Sequence, residues 1–403
     1  MEYLFKSDIK QEEYNQFIKQ FGTVSFMQEY DWASVKQDWN HLHCGMYQQE
    51  KLVASCLILI RPLPMGMKLF YIPRGYVIDF TDQTLVKQFT QEIKKLAKQY
   101  HAYSVKIDPN FCIREYSCKD LENHQQNAIP SYYSHDYQIK HENLIAAGFH
   151  RHKLSTNLND SSQPRFQMAI SLIDEQLKPL NEQQIKSSFK KRVREYLGNY
   201  HQKRGVFFEH TKDITRIDEF IDIINKTEER QNIMLRNKEY FISIMQHFDA
   251  YLFFGKVDLT KYLTFLQEKG KESEIIEVEK LIKKGNKIIN LSAALVILPK
   301  NVKGIRTSEY LYAGNDLQLA KLNVSYGLVY DICKFSLEQG CHFCNLGGVS
   351  GTLDDHLTTF KSRFNAIIWE FAGEYDFIIH RLLYYPIETF LPTAKKLYRH
   401  FKR

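Results

Sequence analysis

Apolar positions recur at helical spacing from about Lys10 to Phe21 and from Tyr30 to Asp38. The spacing then tightens into strand-like runs at Cys44–Gln48, Leu52–Arg61 and Lys68–Ile72. A long amphipathic stretch predicts a helix from about Asp82 to Gln99, with Thr81 or Asp82 placed to cap it. The run Tyr103–Asp108, halted by Pro109, predicts a closing strand. The second half repeats this order. A helix at about Ile217–Arg230 precedes strands at Tyr251–Val257, Ile288–Leu298 and Ser308–Ala313; a helix at about Lys321–Glu338 then leads to the strand His342–Leu346. Two copies of helix, three strands, helix, strand indicate a duplicated α/β module rather than two unrelated domains.

One segment interrupts the repeat. Between the second copy's first two strands, residues 258–286 are charged, with Leu263, Leu266, Ile275, Ile276, Val278, Leu281 and Ile282 at helical spacing and Gly270 and Gly285 as punctuation. This predicts a short antiparallel helical hairpin projecting from the second copy. The stretch Phe111–Gln138, rich in Ser, Tyr, Asn and His, predicts an irregular loop.

At 403 residues the chain has room for two cores, and its 44% apolar and 25% charged residues are those of an ordinary globular protein. The balance of 54 basic against 47 acidic residues gives +7, which permits anionic partners without demanding them. Basic residues cluster at Lys186, Lys190, Lys191, Arg192, Arg194, Lys203 and Arg204, and again from Lys395 to Arg403. Either cluster reads as a solvated helix face or as an attraction to RNA phosphate or an anionic membrane. The first eleven residues carry acids and no apolar segment, which argues against a secretory signal. The longest apolar runs, Leu52–Ile60 and Leu291–Leu298, fall far short of the roughly 20 residues needed to cross a bilayer. These features, with seven cysteines in no repeating framework, predict a cytoplasmic protein. Cys341 and Cys344 form a lone CxxC in an apolar segment and read as buried strand residues, not metal ligands.

The chemistry concentrates near the C-terminus. Asn345-Leu346-Gly347-Gly348 closes a strand on a glycine pair, which permits close backbone approach. Nine residues separate Val349 from Thr359-Phe360-Lys361-Ser362-Arg363-Phe364-Asn365, which holds a lysine sheltered between aromatics and able to act on developing negative charge. Lys36 lies one helical turn beyond Trp32, so the two share a face. Asp108 ends a strand, where ligands bind in open α/β sheets. Neither G-x-x-x-x-G-K-[ST] nor G-x-G-x-x-G is present.

Taken with Tyr71-Ile72-Pro73-Arg74-Gly75, Ser162-Gln163-Pro164-Arg165 and Tyr312-Ala313-Gly314, these motifs resemble the FemABX family of peptidoglycan-bridge aminoacyltransferases, its MurM-like and FmhB-like members above all. The resemblance runs almost end to end. It implies an α/β (α+β) fold of two tandem GNAT-like modules, the first from 1–162 plus 376–403 and the second from 163–257 plus 287–375. Residues 258–286 would be an inserted arm, shorter than in many relatives, where it resembles the tRNA-binding arm of seryl-tRNA synthetase. The implied reaction moves an amino acid from aminoacyl-tRNA to the ε-amine of the stem-peptide lysine of lipid II or UDP-MurNAc-pentapeptide. It needs no cofactor and no metal, and it implies contact with the inner face of the plasma membrane.

The resemblance also implies roles. Lys361 would stabilise the oxyanion, and Asp108 would bind the acceptor or deprotonate its amine. Lys36 and Arg236 would hold the acceptor diphosphate, and Tyr103, Tyr240, Tyr312 and Phe360 would line the groove. Thr358 departs from the pattern, since relatives often carry Tyr there, and Gln163, Pro164 and Arg165 would be structural. Two other readings stay open. An acetyl-CoA N-acetyltransferase on the same fold would need an [RQ]-x-x-G-x-[GA] loop before the helices at Asp82 and Lys321, and neither has one. A non-enzymatic RNA- or membrane-binding protein would need basic and aromatic residues interleaved on one face.

Overall fold

Two sheets, each with a long helix linking a pair of parallel strands, organise the computed structural model, which describes residues 2–118, 132–158, 160–231 and 236–389. The first sheet begins as an antiparallel meander of β1 (Tyr3–Lys6), β2 (Asn40–Gln48), β3 (Lys51–Pro62) and β4 (Lys68–Ile72). Gln49 and Glu50 both adopt positive φ between β2 and β3, the backbone that a two-residue hairpin turn requires. The helix Gln83–Gln99 then carries the chain across to β5 (Ala102–Ile107), which runs parallel to β4. Asp82 caps that helix by accepting from the Leu85 N–H at 2.9 Å.

The second sheet is built the same way. After β6 (Cys112–Tyr116), β7 (Tyr132–Tyr133), β8 (His150–Arg151) and β9 (Phe166–Ser171), the strands β10 (Val206–Thr211), β11 (Ala250–Asp258), β12 (Ile288–Ile297) and β13 (Thr307–Asn315) form a meander. The helix Val324–Glu338 crosses to β14 (Phe343–Val349), parallel to β13. The remaining strands, β15 (Ile367–Phe371) and β16 (Tyr375–Ile378), complete the orders β1-β2-β3-β4-β5-β16-β8 and β10-β11-β12-β13-β14-β9-β15-β6-β7.

The continuous apolar runs of β3 and β12 have a physical reason: both faces of each strand are buried. Cys56, Ile58 and Ile60 pack under the helix Gln83–Gln99 with Phe70, Phe89 and Ile93, while Leu57 and Leu59 point the other way. There they join Tyr71, Trp32 and Phe26 in one apolar cluster with Phe220, Phe241, Ala293, Leu295 and Ile297 of the second half. The two sheets are thereby joined through a shared core rather than a hinge.

Several sequence expectations are corrected. The expected helix Tyr30–Asp38 is a single turn, Trp32–Val35, and the helix expected from Lys321 starts at Val324, after a 3-10 turn Ala320–Leu322 and Asn323 at positive φ. The hairpin consists of helices Leu259–Glu268 and Glu272–Lys283, but it does not simply project. Leu259, Tyr262, Leu266, Val278 and Leu281 pack with Val206, Val257, Leu322 and Val324, which docks it on the sheet's edge. Part of the expected loop Phe111–Gln138 is β6, paired with β15 in the second sheet although it falls within the span expected for the first module. Residues 119–131 lie outside the described residues, as does the basic cluster 395–403. Cys341 and Cys344 are buried, and no helix among the described residues is long and apolar enough to cross a membrane.

Candidate active site

Asp108 follows β5 and meets the turn after β4. The Gly75 N–H donates to the Ile72 carbonyl at 3.0 Å, closing a turn whose central residues are Pro73 and Arg74. Arg74 has φ +60°, a position that usually takes glycine, so the turn needs outside support. Asp108 provides it: its Oδ1 accepts from the Arg74 N–H at 2.6 Å and its Oδ2 from the Tyr71 hydroxyl at 3.0 Å. Burial pushes the Asp108 carboxyl up to about 7, against the pull of Arg74. Gln163 in turn donates to the Tyr71 hydroxyl at 3.3 Å.

Arg74, Gln163 and Pro164 line a cavity of about 970 Å³ that also touches Gln167, Glu309, Asn345, Gly347 and Gly348. It therefore draws walls from both halves of the chain. Asp108 stands behind that wall and holds it through the Arg74 N–H and the Tyr71 hydroxyl.

Lys361 stands behind the glycine pair, on the helix His356–Ser362. Asp355 caps that helix through the Leu357 and Thr358 N–H groups and binds the Thr358 hydroxyl at 2.6 Å, so the buried Thr358 is part of the cap. The Lys361 side chain is 5% exposed, and its Nζ donates to the Gly348 carbonyl at 2.8 Å. Burial lowers its ammonium to about 7, with Asp355 pulling weakly the other way. Gly347 has φ +82°, and a Cβ there would sit 3.9 Å from the Lys361 Nζ. The missing side chain thus leaves space between the cavity and the lysine. Phe360 points elsewhere, stacked on Tyr326 at 5.4 Å and against Phe364 at 5.3 Å.

A second cluster gathers Lys36, Arg236, Tyr240 and Tyr312. Lys36 Nζ lies 4.8 Å from the Trp32 ring and 4.9 Å from the Tyr240 ring, with Arg236 5.3 Å from that ring. The Tyr312 hydroxyl donates to the Tyr240 hydroxyl at 3.4 Å. Burial, aided by Arg236, lowers Lys36 to about 8. Two cations beside one aromatic ring repel, and Asp38 offsets this only in part at Lys36, so the cluster suits a phosphate-bearing ligand. Tyr103 lies apart, fully buried, with its hydroxyl donating to Glu388 at 2.8 Å. It packs in the core and reaches neither the cavity nor the cations.

Sequence reasoning overlooked Glu309 on β13. Its Oε2 accepts from the Asn345 Nδ2 at 2.9 Å, while the Asn345 Oδ1 accepts from the Gly347 N–H at 2.9 Å. Burial pushes the Glu309 carboxyl up to about 8 although Arg74 pulls it down. The only sequence signal was its place three residues before Tyr312 in a strand already assigned.

The family model described as the FemAB family matches residues 9–275 and 267–391. The chain is 25% identical, over an alignment of 434 residues, to the lipid II:glycine glycyltransferase of Staphylococcus haemolyticus (strain JCSC1435), covering 97% of each chain. It is 25% identical to the enzyme of that name from Staphylococcus aureus over 436 residues, again with 97% of each covered. A crystal structure of FemX superposes with a TM-score of 0.77 at 22% identity, covering 96% of this chain and 100% of that one. A tandem GNAT protein from the clavulanic acid biosynthesis pathway superposes at 0.50 with 8% identity over 94% and 99% of the chains. The two sheets are thus two tandem GNAT-like modules.

Proposed function

This chain belongs to the FemAB family and is an aminoacyltransferase, and from that premise we propose that it builds the peptidoglycan interpeptide bridge. The amino acid would pass from the ester of an aminoacyl-tRNA to the ε-amine of the stem-peptide lysine of lipid II or UDP-MurNAc-pentapeptide. The amine nitrogen attacks the ester carbonyl, a C–N bond forms and the carbonyl oxygen becomes an oxyanion. The C–O bond to the ribose then breaks, and the departing hydroxyl takes up a proton lost by the amine. Ester to amide runs downhill, so no nucleotide hydrolysis is required.

The observation that carries this reading is Lys361, a buried ammonium behind the glycine pair of a cavity shared by both modules. With its proton held at about 7, the lysine is poised between charge states, and an oxyanion forming beside it favours the ammonium. A fixed cation in so poorly solvated a place supplies several kcal/mol, about what one oxyanion donor contributes. Lys36 and Arg236 would hold the acceptor's diphosphate, with Tyr240 as their common platform. Asp108 keeps Arg74 and Tyr71 in place at the turn after β4, where Arg74 lines the cavity. The cytoplasmic face of the membrane, where lipid-linked acceptor would be met, fits the chain's net charge of +7.

The test is mass spectrometry of lipid II and of UDP-MurNAc-pentapeptide after incubation with the protein and each charged tRNA in turn. A mass increase of one aminoacyl residue on the lysine is expected for at least one combination. No increase with any of them overturns the reading.

A further inference from the structure

Of the cavity's carboxylates, one that is sheltered from solvent has incomplete partners, whereas Asp79, which also leaves an oxygen unbonded, is exposed. Among its acids, Asp136 is paired with Lys140 at 2.7 Å, Asp79 accepts from the Thr81 N–H and hydroxyl at 2.9 and 2.6 Å, and Glu115 is bonded to the Trp369 side chain. Glu309 differs. Its Oε2 accepts from Asn345, but among the described residues no hydrogen bond reaches Oε1, and Arg74, whose charge it feels, makes no ion pair with it within 4 Å. The part of it that is exposed faces the cavity. Such a carboxylate is costly unless a cation joins it.

Asn345 fixes its direction. The Asn345 amide binds Glu309 and the Gln167 Oε1, at 2.9 and 2.7 Å, and its oxygen takes the Gly347 N–H. Glu309, Asn345 and Gly347 therefore form one bonded row that ends beside the Lys361 Nζ. Whatever cation sits on Glu309 is held at a set offset from the place where the oxyanion would form.

We propose that Glu309 is the ammonium-binding group of the cavity, holding a primary ammonium of a substrate next to the reacting carbonyl. This rests on the reading above, in which both substrates carry such a group: the α-ammonium of the donor's amino acid and the ε-ammonium of the acceptor lysine. The carboxyl, held at about 8 by burial, ionises when that cation arrives.

The experiment measures binding with each group removed in turn. The donor probe is a short RNA ending in CCA with glycine attached through a 3′-amide, compared with its N-acetylglycyl counterpart. The acceptor probe is UDP-MurNAc-pentapeptide, compared with the form acetylated on the lysine ε-amine. Wild type should favour the free amine at least tenfold in one of the two pairs, and Glu309→Gln should bring that ratio to near one. Which pair responds identifies the ammonium. Equal binding within both pairs by the wild type overturns the inference whatever the variant does, as does a ratio that Glu309→Gln leaves intact. If the wild type forms product while either of these holds, only the role of Glu309 falls. If it neither binds the probes nor forms product, the transferase reading falls and takes the inference with it.

Discussion

The Lys361 Nζ donates to the Gly348 carbonyl at 2.8 Å, tying the buried ammonium to the backbone of the cavity wall. The tie holds the cation still without neutralising it, since a carbonyl carries no formal charge. A group so placed costs little to reorganise when an oxyanion appears. Replacing it tests whether it acts only then. Lys361→Met should stay folded and bind acceptor nearly normally, while single-turnover rate falls about 10²–10³-fold. Weakened acceptor binding with an intact rate would make the lysine a binding residue.

The charge state of Lys361 gives a second expectation, in pH. Its folded value of about 7 lies below the ordinary lysine value, so the ammonium is present below that pH and lost above it. The acceptor amine works against this, becoming more reactive as pH rises, and the two effects mix in a raw profile. Dividing wild-type rates by Lys361→Met rates cancels the amine. That ratio should be largest below pH 7 and decline through pH 7–9; a flat ratio would exclude a protonated lysine from the rate-determining step.

Lys36 and Arg236 both stand within 5.3 Å of the Tyr240 ring, an arrangement that an anion relieves. Lys36→Ala and Arg236→Ala should each weaken acceptor binding by roughly 1–3 kcal/mol, as for a charge-assisted phosphate contact. Titration calorimetry with the nucleotide-linked acceptor measures this directly. The dependence on tRNA concentration should hardly move, and unchanged affinity in both variants would remove the pair from the site.

The turn behind Asp108 is tight enough for one methyl group to matter. Gly75 has φ +75°, and a Cβ on it would lie 2.9 Å from the Pro109 Cα, on the chain that carries Asp108. Gly75→Ala should therefore lower stability by roughly 1–3 kcal/mol and also slow transfer, because Asp108 and Arg74 shift together. Denaturant unfolding beside a rate assay would show both; an unchanged rate in a destabilised variant would separate the turn from the chemistry.

Sequence patterning located the elements whose two faces meet different surroundings. The helix Gln83–Gln99 has one apolar side, and β3 and β12 are apolar throughout, so each announced itself. It missed strands whose pairing is remote, because nothing local in Cys112–Tyr116 or Ile367–Phe371 says that they lie beside each other. The site divides in the same way. Lys361 and the glycine pair are close in sequence and legible through the family pattern, whereas Glu309 depends on an asparagine 36 residues later. Tyr103 is a groove residue only through the family pattern, and the fold shows its hydroxyl meeting Glu388 on the helix at residues 381–389.

The pairing of β16 has a consequence for the order in which the molecule is made. β16 lies between β5 and β8, and its Asp376 meets the buried Lys106 at 3.2 Å, with Glu374 at 3.5 Å. Until those carboxylates leave the ribosome, Lys106 has no anion to justify its burial and β8 has no neighbour to pair with. The half of the protein that is synthesised first is therefore completed last, and a nascent chain stopped before Tyr375 holds an unfinished sheet.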